Sequence, residues 1–199
     1  MGTSNENHLF SFYFNSYRSF IAQANMNVPK TSNADSIPFA LYNKSQQSPY
    51  RMWTNSQTHV YNYGLSGGIT FSNAGYTTNI NTTYSKLRKS SSEDGLEDGF
   101  NTPQWIYNVS VGNASLFKSF FGFNINYRWQ SSFLWQSSLA TGTVAAFGTL
   151  DAQVQYSFPE NRLNLKLGAS NLFNKYNYSF IGGPAIGGLY YCTATIHVF

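Results

Sequence analysis

His59–Phe71 reads HVYNYGLSGGITF, and larger apolar side chains alternate in it with small or polar ones. The odd positions carry the apolar set, which is Tyr61, Tyr63, Leu65, Ile69 and Phe71. Successive side chains of a β-strand point to opposite faces, so this stretch predicts a strand with one apolar and one polar face.

The same alternation recurs along the rest of the chain. Seven further segments show it, namely Phe10–Val28, Tyr76–Ser85, Gln104–Val111, Phe121–Trp129, Leu150–Phe158, Leu163–Ala169 and Tyr190–Val198. Strict alternation in so many successive segments indicates an all-β protein of about eight strands.

Composition excludes several classes of protein. Only 10% of the 199 residues are charged, against about 25% in soluble domains, while 18% are aromatic. A disordered chain would have few aromatics. A nucleic-acid binder would cluster its basic residues, whereas the 12 Lys and Arg residues are scattered along this chain and the net charge is only +4. The sequence contains no run of about 18 apolar residues that would form a transmembrane helix. Cys192 is the single cysteine, which excludes an internal disulfide.

The links between the predicted strands alternate in length. Short links fall at Ser72–Gly75, Asn113–Ser119 and Pro159–Asn161, and long ones at Pro29–Thr58, Lys86–Pro103, Gln130–Ala145 and Asn174–Gly188. Outer-membrane barrels have short periplasmic turns and long extracellular loops. We therefore predict an antiparallel transmembrane β-barrel segment in the outer membrane of a Gram-negative bacterium, with Tyr and Trp at the strand ends forming aromatic girdles.

The first segment fits this pattern less well than the others. Ser16 and Arg18 lie at even positions, as its apolar residues do, and would therefore face the apolar side of a regular strand. A cation facing lipid costs about 2–4 kcal/mol at the middle of the bilayer and little near its surface. We therefore expect a bulge near Ser16, or a position for Arg18 close to the headgroup layer.

Several short sequence motifs are more specific for one family of proteins. They are FNTPQW at 100–105, YRWQ at 127–130, LDAQV at 150–154 and LGASNLFN at 167–174, followed by the terminal Phe199. Together they resemble the C-terminal part of the barrel of TonB-dependent outer-membrane receptors. The resemblance covers nearly the whole chain and is strongest from Asp94 onward.

This resemblance implies a receptor that imports a nutrient such as a metal-siderophore, cobalamin or glycan. Residues 1–199 would form one domain, a C-terminal fragment of a larger barrel of roughly 22 strands, without its plug, its TonB box or a signal peptide. Implied partners are outer-membrane lipid, the barrel-assembly machinery, the TonB complex through the N-terminal region and a small-molecule or glycan ligand. Tyr191 and Phe199 would belong to the assembly signal, and no cofactor is implied.

Candidate site residues fall into two groups. Trp53 and Arg51 on the first long loop, and Tyr178 and Phe180 on the last, could contact a ligand or pack the loops together. Arg128 and Asp151 should point inward on adjacent strands, so we expect them to pair or to join a polar network, because an isolated charge there would be costly.

Other functional signals are weak. The acidic stretch Glu93–Asp98 lacks the spacing of a calcium loop and is best explained as a solvated loop. His8, His59 and His197 lack the spacing of metal ligands, and no catalytic motif is present, so we expect neither a metal nor an enzyme. One alternative is a self-contained eight-stranded barrel with a structural or adhesive role, and a less favoured one is a small outer-membrane enzyme.

Overall fold

A computed structural model of the chain describes most of its residues. The described ranges are 5–29, 47–89, 96, 99–116, 120–137, 140–158, 160 and 162–196, with the backbone alone at 23–29 and 47–52. In these ranges the regular structure is almost entirely β, as the sequence predicts. No helix in them is long and apolar enough to cross a membrane.

Eight strands form one antiparallel sheet. They are β1 (Asn5–Tyr17), β4 (Val60–Asn73), β5 (Tyr76–Lys89), β6 (Trp105–Asn113), β7 (Phe121–Gln130), β10 (Phe147–Phe158), β11 (Leu163–Ser170) and β14 (Leu189–Ile196). Their spatial order is their order in the chain, so each of these eight strands pairs with the next of the eight. Within the described residues β1 pairs only with β4 and β14 only with β11, so this sheet is open at both edges.

Three further hairpins lie outside this sheet, and all their strands except β2 fall in stretches that the sequence analysis predicted as long links. These are β2 (Ile21–Pro29) with β3 (Gln47–Asn55), β8 (Phe133–Gln136) with β9 (Thr141–Val144), and β12 (Asn177–Tyr178) with β13 (Ala185–Ile186). The prediction of one strand over Phe10–Val28 is therefore wrong. β1 ends at Tyr17, the chain bends at Arg18 and Ser19, and Ser19 takes a left-handed φ of 55°. Because of this bend, Arg18 is not one of the strand residues that face the apolar side, and β2 belongs to a separate sheet.

Short and long connections are segregated to opposite ends of the sheet, as predicted. We call these the short-turn end and the long-loop end. The tightest connection joins β4 to β5 through Ala74 and Gly75, with φ values of 51° and 82°. Two successive positive φ values are typical of a type I′ turn, whose twist matches that of the flanking strands.

The strand register gives the sheet one apolar and one polar face. On the apolar face Ile69 lies opposite Ile80, which lies opposite Val109 and then Tyr127. The polar face carries mainly Asn, Gln, Ser, Thr and Gly. This division agrees with the predicted alternation in all eight strands.

The apolar face is not covered by a second layer of the described residues. Phe12 is 70% exposed, Leu65 53% and Leu167 56%. The buried apolar residues among those described are few, namely Ala22, Val60, Val144 and Ala169. A soluble sandwich would bury these large side chains between two sheets, so the sheet has the surface of a barrel wall rather than a globular core.

Aromatic side chains border the apolar face at both ends. Near the long-loop end we define the aromatic row as Tyr63, Tyr84, Trp105, Tyr107 and Trp129, whose neighbouring ring centroids lie 4.7–6.5 Å apart. At the short-turn end Tyr76 contacts Phe123, with ring centroids 6.3 Å apart. Tyr76 and Tyr84 are separated by roughly 27 Å along β5, or about 20 Å in height for a strand tilted by about 40°. This spacing is close to the height of the apolar band of an outer-membrane barrel.

Candidate functional site

An ion pair lies on the polar face toward the long-loop end. Arg128 of β7 places Nη2 2.8 Å from Oδ2 of Asp151, which lies on the adjacent strand β10. The other carboxylate oxygen, Oδ1, accepts hydrogen bonds from Ser170 Oγ at 3.0 Å and from the backbone N–H of Asn171 at 2.9 Å. Asp151 thus holds β7, β10 and the end of β11 together.

The end of β11 is shaped by two asparagines in left-handed conformations. Asn171 and Asn174 have φ values of 52° and 51°. The side chain of Asn171 bonds the backbone of Lys175 in both directions, donating at 2.8 Å and accepting at 3.2 Å. Asn174 Oδ1 accepts a hydrogen bond of 2.7 Å from the N–H of Gly188, just before β14. These contacts close the base of the last long loop.

A cavity of about 360 Å³ lies between the polar face and that last loop. Arg128 lines it, and its side chain remains 51% exposed while that of Asp151 is 24% exposed. Neutral polar and apolar groups complete the lining, among them Asn108, Gln130, Thr149, Asn171, Asn177, Ser179, Phe147 and Ile186. A cationic group beside amides and hydroxyls could hydrogen-bond a polar or anionic ligand group, so we take this cavity as the candidate site.

The last loop, which lines the cavity, is joined to two other long links by specific contacts. Asn101, before β6, donates to the carbonyl of Gln136 at 2.9 Å and accepts from its N–H at 2.7 Å. Trp135 of the β8–β9 hairpin contacts Phe180 of the last loop, with ring centroids 5.4 Å apart. Three consecutive long links therefore form one connected cluster at the long-loop end.

The residues proposed from the sequence as ligand contacts lie on two different long links. Trp53 lies on β3, opposite Gln23 of β2, and is 69% exposed. The backbone of Arg51 lies on the same strand, and its side chain is outside the described part. Tyr178 and Phe180 lie on the last loop, where Tyr178 is exposed and Phe180 packs against Trp135.

Tyr191 lies on the polar face, opposite Gly168, and donates a hydrogen bond of 3.1 Å to Gln153 Oε1. Phe199 lies outside the described residues, so its predicted place in an assembly signal stays a prediction. Most of the acidic stretch Glu93–Asp98 also lies outside them. At its described position, Leu96, the carbonyl accepts a hydrogen bond of 2.8 Å from Lys89 Nζ.

Sequence reasoning missed the polar residues that hold the site together. Ser170, Asn171 and Asn174 were noted only as part of the motif LGASNLFN, although their side chains organise the last loop. The signal was the two asparagines themselves, because Asn tolerates the left-handed conformation better than most residues. No group of three or more His, Cys, Asp or Glu side chains comes together in the described ranges.

Comparison with solved structures finds a similar fold in three outer-membrane or iron-transport proteins. The siderophore receptor PirA from Acinetobacter baumannii matches 95% of the chain at 15% identity, with a TM-score of 0.61 over 29% of its own length. The FrpB iron transporter from Neisseria meningitidis matches 94% at 18% identity, with a TM-score of 0.60 over 28% of its length. The ferripyoverdine receptor of the outer membrane of Pseudomonas aeruginosa matches 95% at 14% identity, with a TM-score of 0.60 over 24% of its length.

These matches establish the fold, which is that of a stretch of β-barrel wall, in agreement with the fold that the resemblance in the sequence implies. The chain spans about a quarter of the length of the solved structures it matches. No family model and no curated protein matches the chain.

Proposed function

We propose that the chain forms part of the barrel wall of an outer-membrane receptor that imports a small ligand, with iron-siderophore complexes as the first candidates. The observation that carries this proposal is the combination of one exposed apolar face, bordered by aromatics, with long links gathered at one end. Solved receptors that share this wall are named for siderophores and iron.

The candidate cavity gives this receptor a place for a polar ligand group. Arg128 is held in position by Asp151 yet keeps half of its side chain exposed toward the cavity and its surroundings. The contact between Phe180 of the last loop and Trp135 would limit the loss of conformational entropy on binding. Energy coupling through TonB and assembly by the barrel machinery are part of the same proposal, and catalysis is not.

The alternative is a self-contained eight-stranded barrel. Such a barrel needs β1 to pair with β14, because closure removes both sheet edges. In the described part of the sheet each of these strands has a single partner, which favours a wall segment that continues into further strands.

The test is ligand uptake by the host bacterium. We expect deletion of the gene to abolish uptake of one member of a panel of ⁵⁵Fe-labelled siderophores, and the full-length gene to restore it. Ser179→Trp, which would fill the cavity, should weaken binding of that ligand, whereas Ser179→Ala should leave it nearly unchanged. Unaltered uptake of the whole panel after deletion would contradict an iron-siderophore function.

A further inference from the structure

Two more cavities lie on the polar face, in line with the candidate cavity. The middle cavity has a volume of about 460 Å³, and the lower cavity, nearest the short-turn end, has a volume of about 290 Å³. The candidate and middle cavities share Ser170, and the middle and lower cavities share Asn124 and Gln153. The three cavities are therefore neighbours on one surface.

Two adjacent strands give the three cavities the same order. Along β7, Gln130 lines the candidate cavity, Asn126 lines the middle one, and Asn124 lines the middle and lower ones. Along β10, which runs in the opposite direction, Thr149 lines the candidate cavity and Gln155 lines the lower one. The line of cavities thus follows the strands from the long-loop end toward the short-turn end. Gln130 and Asn124 are about 20 Å apart along β7.

Amide side chains line all three cavities. We define the amide track as the amide residues of β7 and β10 that line them, namely Gln130, Asn126, Asn124, Gln153 and Gln155. The side chains of Asn124 and Gln155 have no hydrogen-bond partner among the described residues, so both amides are available to a ligand. Each amide can donate and accept hydrogen bonds, and side chains on one face recur about every 7 Å along a strand.

Glycines on neighbouring strands make room for these amides. A Cβ at Gly112 would lie 2.8 Å from Nδ2 of Asn124. A Cβ at Gly122 would lie 2.8 Å from Nε2 of Gln155. Each of these two amides therefore lies over a glycine of the adjacent strand, where any other residue would collide with it. This arrangement leaves the surface open along the amide track.

The lining of the three cavities carries no unpaired charge. Arg128 and Asp151 are the only charged residues that line any of them in the described part of the chain, and the two are paired at 2.8 Å. Lys166 lies opposite Gln155 but lines none of the three. A highly charged ligand would find no free counter-charge on this lining, whereas neutral carbonyl, hydroxyl and amide groups would find donors and acceptors along its whole length.

We propose that the imported ligand moves along the amide track from the candidate cavity toward the short-turn end, and that this ligand has a surface of neutral hydrogen-bonding groups. Passage requires sites that bind strongly enough to admit the ligand and weakly enough to release it. A series of similar amides meets this requirement, because the ligand can exchange one hydrogen bond at a time. The inference rests on the proposed function, to which it adds a path and the surface chemistry of the ligand.

The test compares ligand binding with ligand uptake in cells that carry the full-length gene. The probes are a panel of ⁵⁵Fe-siderophores that contains neutral trihydroxamate and anionic tricatecholate complexes. Binding is measured on cells without a proton-motive force, and uptake on energised cells. We expect the wild type to import a neutral complex. Asn124→Leu combined with Gln155→Leu should lower its maximal uptake rate about tenfold, because hydrogen bonds to the ligand are lost along the path. The affinity should not change, since neither residue lines the candidate cavity.

Asn81→Leu is the matched control. The amide of Asn81 also lies on the polar face and over a glycine, since a Cβ at Gly68 would lie 2.5 Å from its Oδ1. Asn81 lines none of the three cavities, so its replacement should leave uptake unchanged. Asn124→Ser combined with Gln155→Ser introduces no bulk and replaces the leucine variant if that protein does not reach the outer membrane. We expect the serine variant to slow uptake about threefold.

Unchanged uptake by the track variants would overturn the inference, as would a loss of ligand affinity in them. An equal slowing by Asn81→Leu would also overturn it, because the polar face would then act through contacts with another domain inside the barrel. Import of anionic complexes alone would exclude the neutral ligand that the amide track requires. Import of no member of the panel by the wild type would instead contradict the proposed function, and the wild-type measurement detects that outcome separately.

Discussion

The hydroxyl of Tyr13 donates a hydrogen bond of 3.0 Å to Oγ of Ser85, two strands away. Tyr13 lies opposite Gly64 of β4, which lies opposite Ser85 of β5, so the phenol ring crosses directly over the glycine. Tyr191 does the same at the other edge of the sheet, crossing Gly168 to reach Gln153. A tyrosine on the polar face thus ties each edge strand of the described sheet to the strand two positions further in.

Gly64 should be intolerant of any side chain. A Cβ at this position would lie 2.5 Å from the Tyr13 ring and from the carbonyl oxygen of Tyr84. We expect Gly64→Ala to destabilise the folded protein by about 1–3 kcal/mol through overpacking. The measurement is the temperature at which the compact form is lost in gel electrophoresis of unheated samples.

Gly67 provides the matched control on the same strand. A Cβ there would approach the Phe10 ring at 3.2 Å on the open apolar face, where the ring can move aside. Gly67→Ala should therefore shift the transition much less than Gly64→Ala. Equal shifts would show that the crossing by Tyr13 does not set the cost.

Loss of the Asp151 carboxylate should destabilise the sheet. Asp151→Asn weakens the ion pair with Arg128 and the hydrogen bonds from Ser170 and Asn171. A hydrogen bond to a charged group contributes about 1.5–3 kcal/mol. Because the Arg128 side chain is half exposed, we expect the total loss of unfolding free energy to lie toward the lower end of that range. Urea titration of the folded form measures the change.

A double-mutant cycle with Arg128→Gln isolates the pair itself. We expect the double variant to lose less unfolding free energy than the sum of the two single losses, because each single change leaves the other residue without its charged partner. Lys166→Gln, a charge removal on the same face of β11, should have little effect. Strict additivity of the two changes would mean that the pair contributes no coupling.

Asn174 combines a left-handed backbone with a hydrogen bond across the last loop. Asn174→Gly keeps the backbone geometry and removes the contact with the N–H of Gly188, whereas Asn174→Ala also adds a conformational cost of about 1–2 kcal/mol. We expect cleavage of the last loop by protease to increase in the order wild type, Gly, Ala. Equal cleavage of the Gly and Ala variants would contradict a role for the φ of 51°.

The paired hydrogen bonds between Asn101 and Gln136 should stabilise the loops rather than the sheet. Asn101→Ala is expected to increase proteolysis in the β7–β10 link at least several-fold, with little change in urea stability. Thr102→Val removes a contact of 2.7 Å to Phe100 within one loop and serves as the control. A matching loss of sheet stability in Asn101→Ala would argue against this separation.

The strands and faces of the sheet could be predicted from the sequence because they depend on a local rule. Alternation along each strand sets which side chains share a face, and the lengths of the links set the antiparallel order. His59–Phe71 predicted most of β4 for that reason, and the same rule failed at Arg18, where the chain changes sheets. The sequence did not predict the three hairpins outside the sheet, because their pairing depends on contacts between segments rather than on local alternation.

Sequence alone thus determined the class of fold and the two faces, since both follow from a period of two along the chain. Only the tertiary structure decided how residues of the motifs YRWQ, LDAQV and LGASNLFN come into contact. Arg128, Asp151 and Asn171 lie 20 or more positions apart, and only the strand register brings their polar atoms within hydrogen-bonding distance.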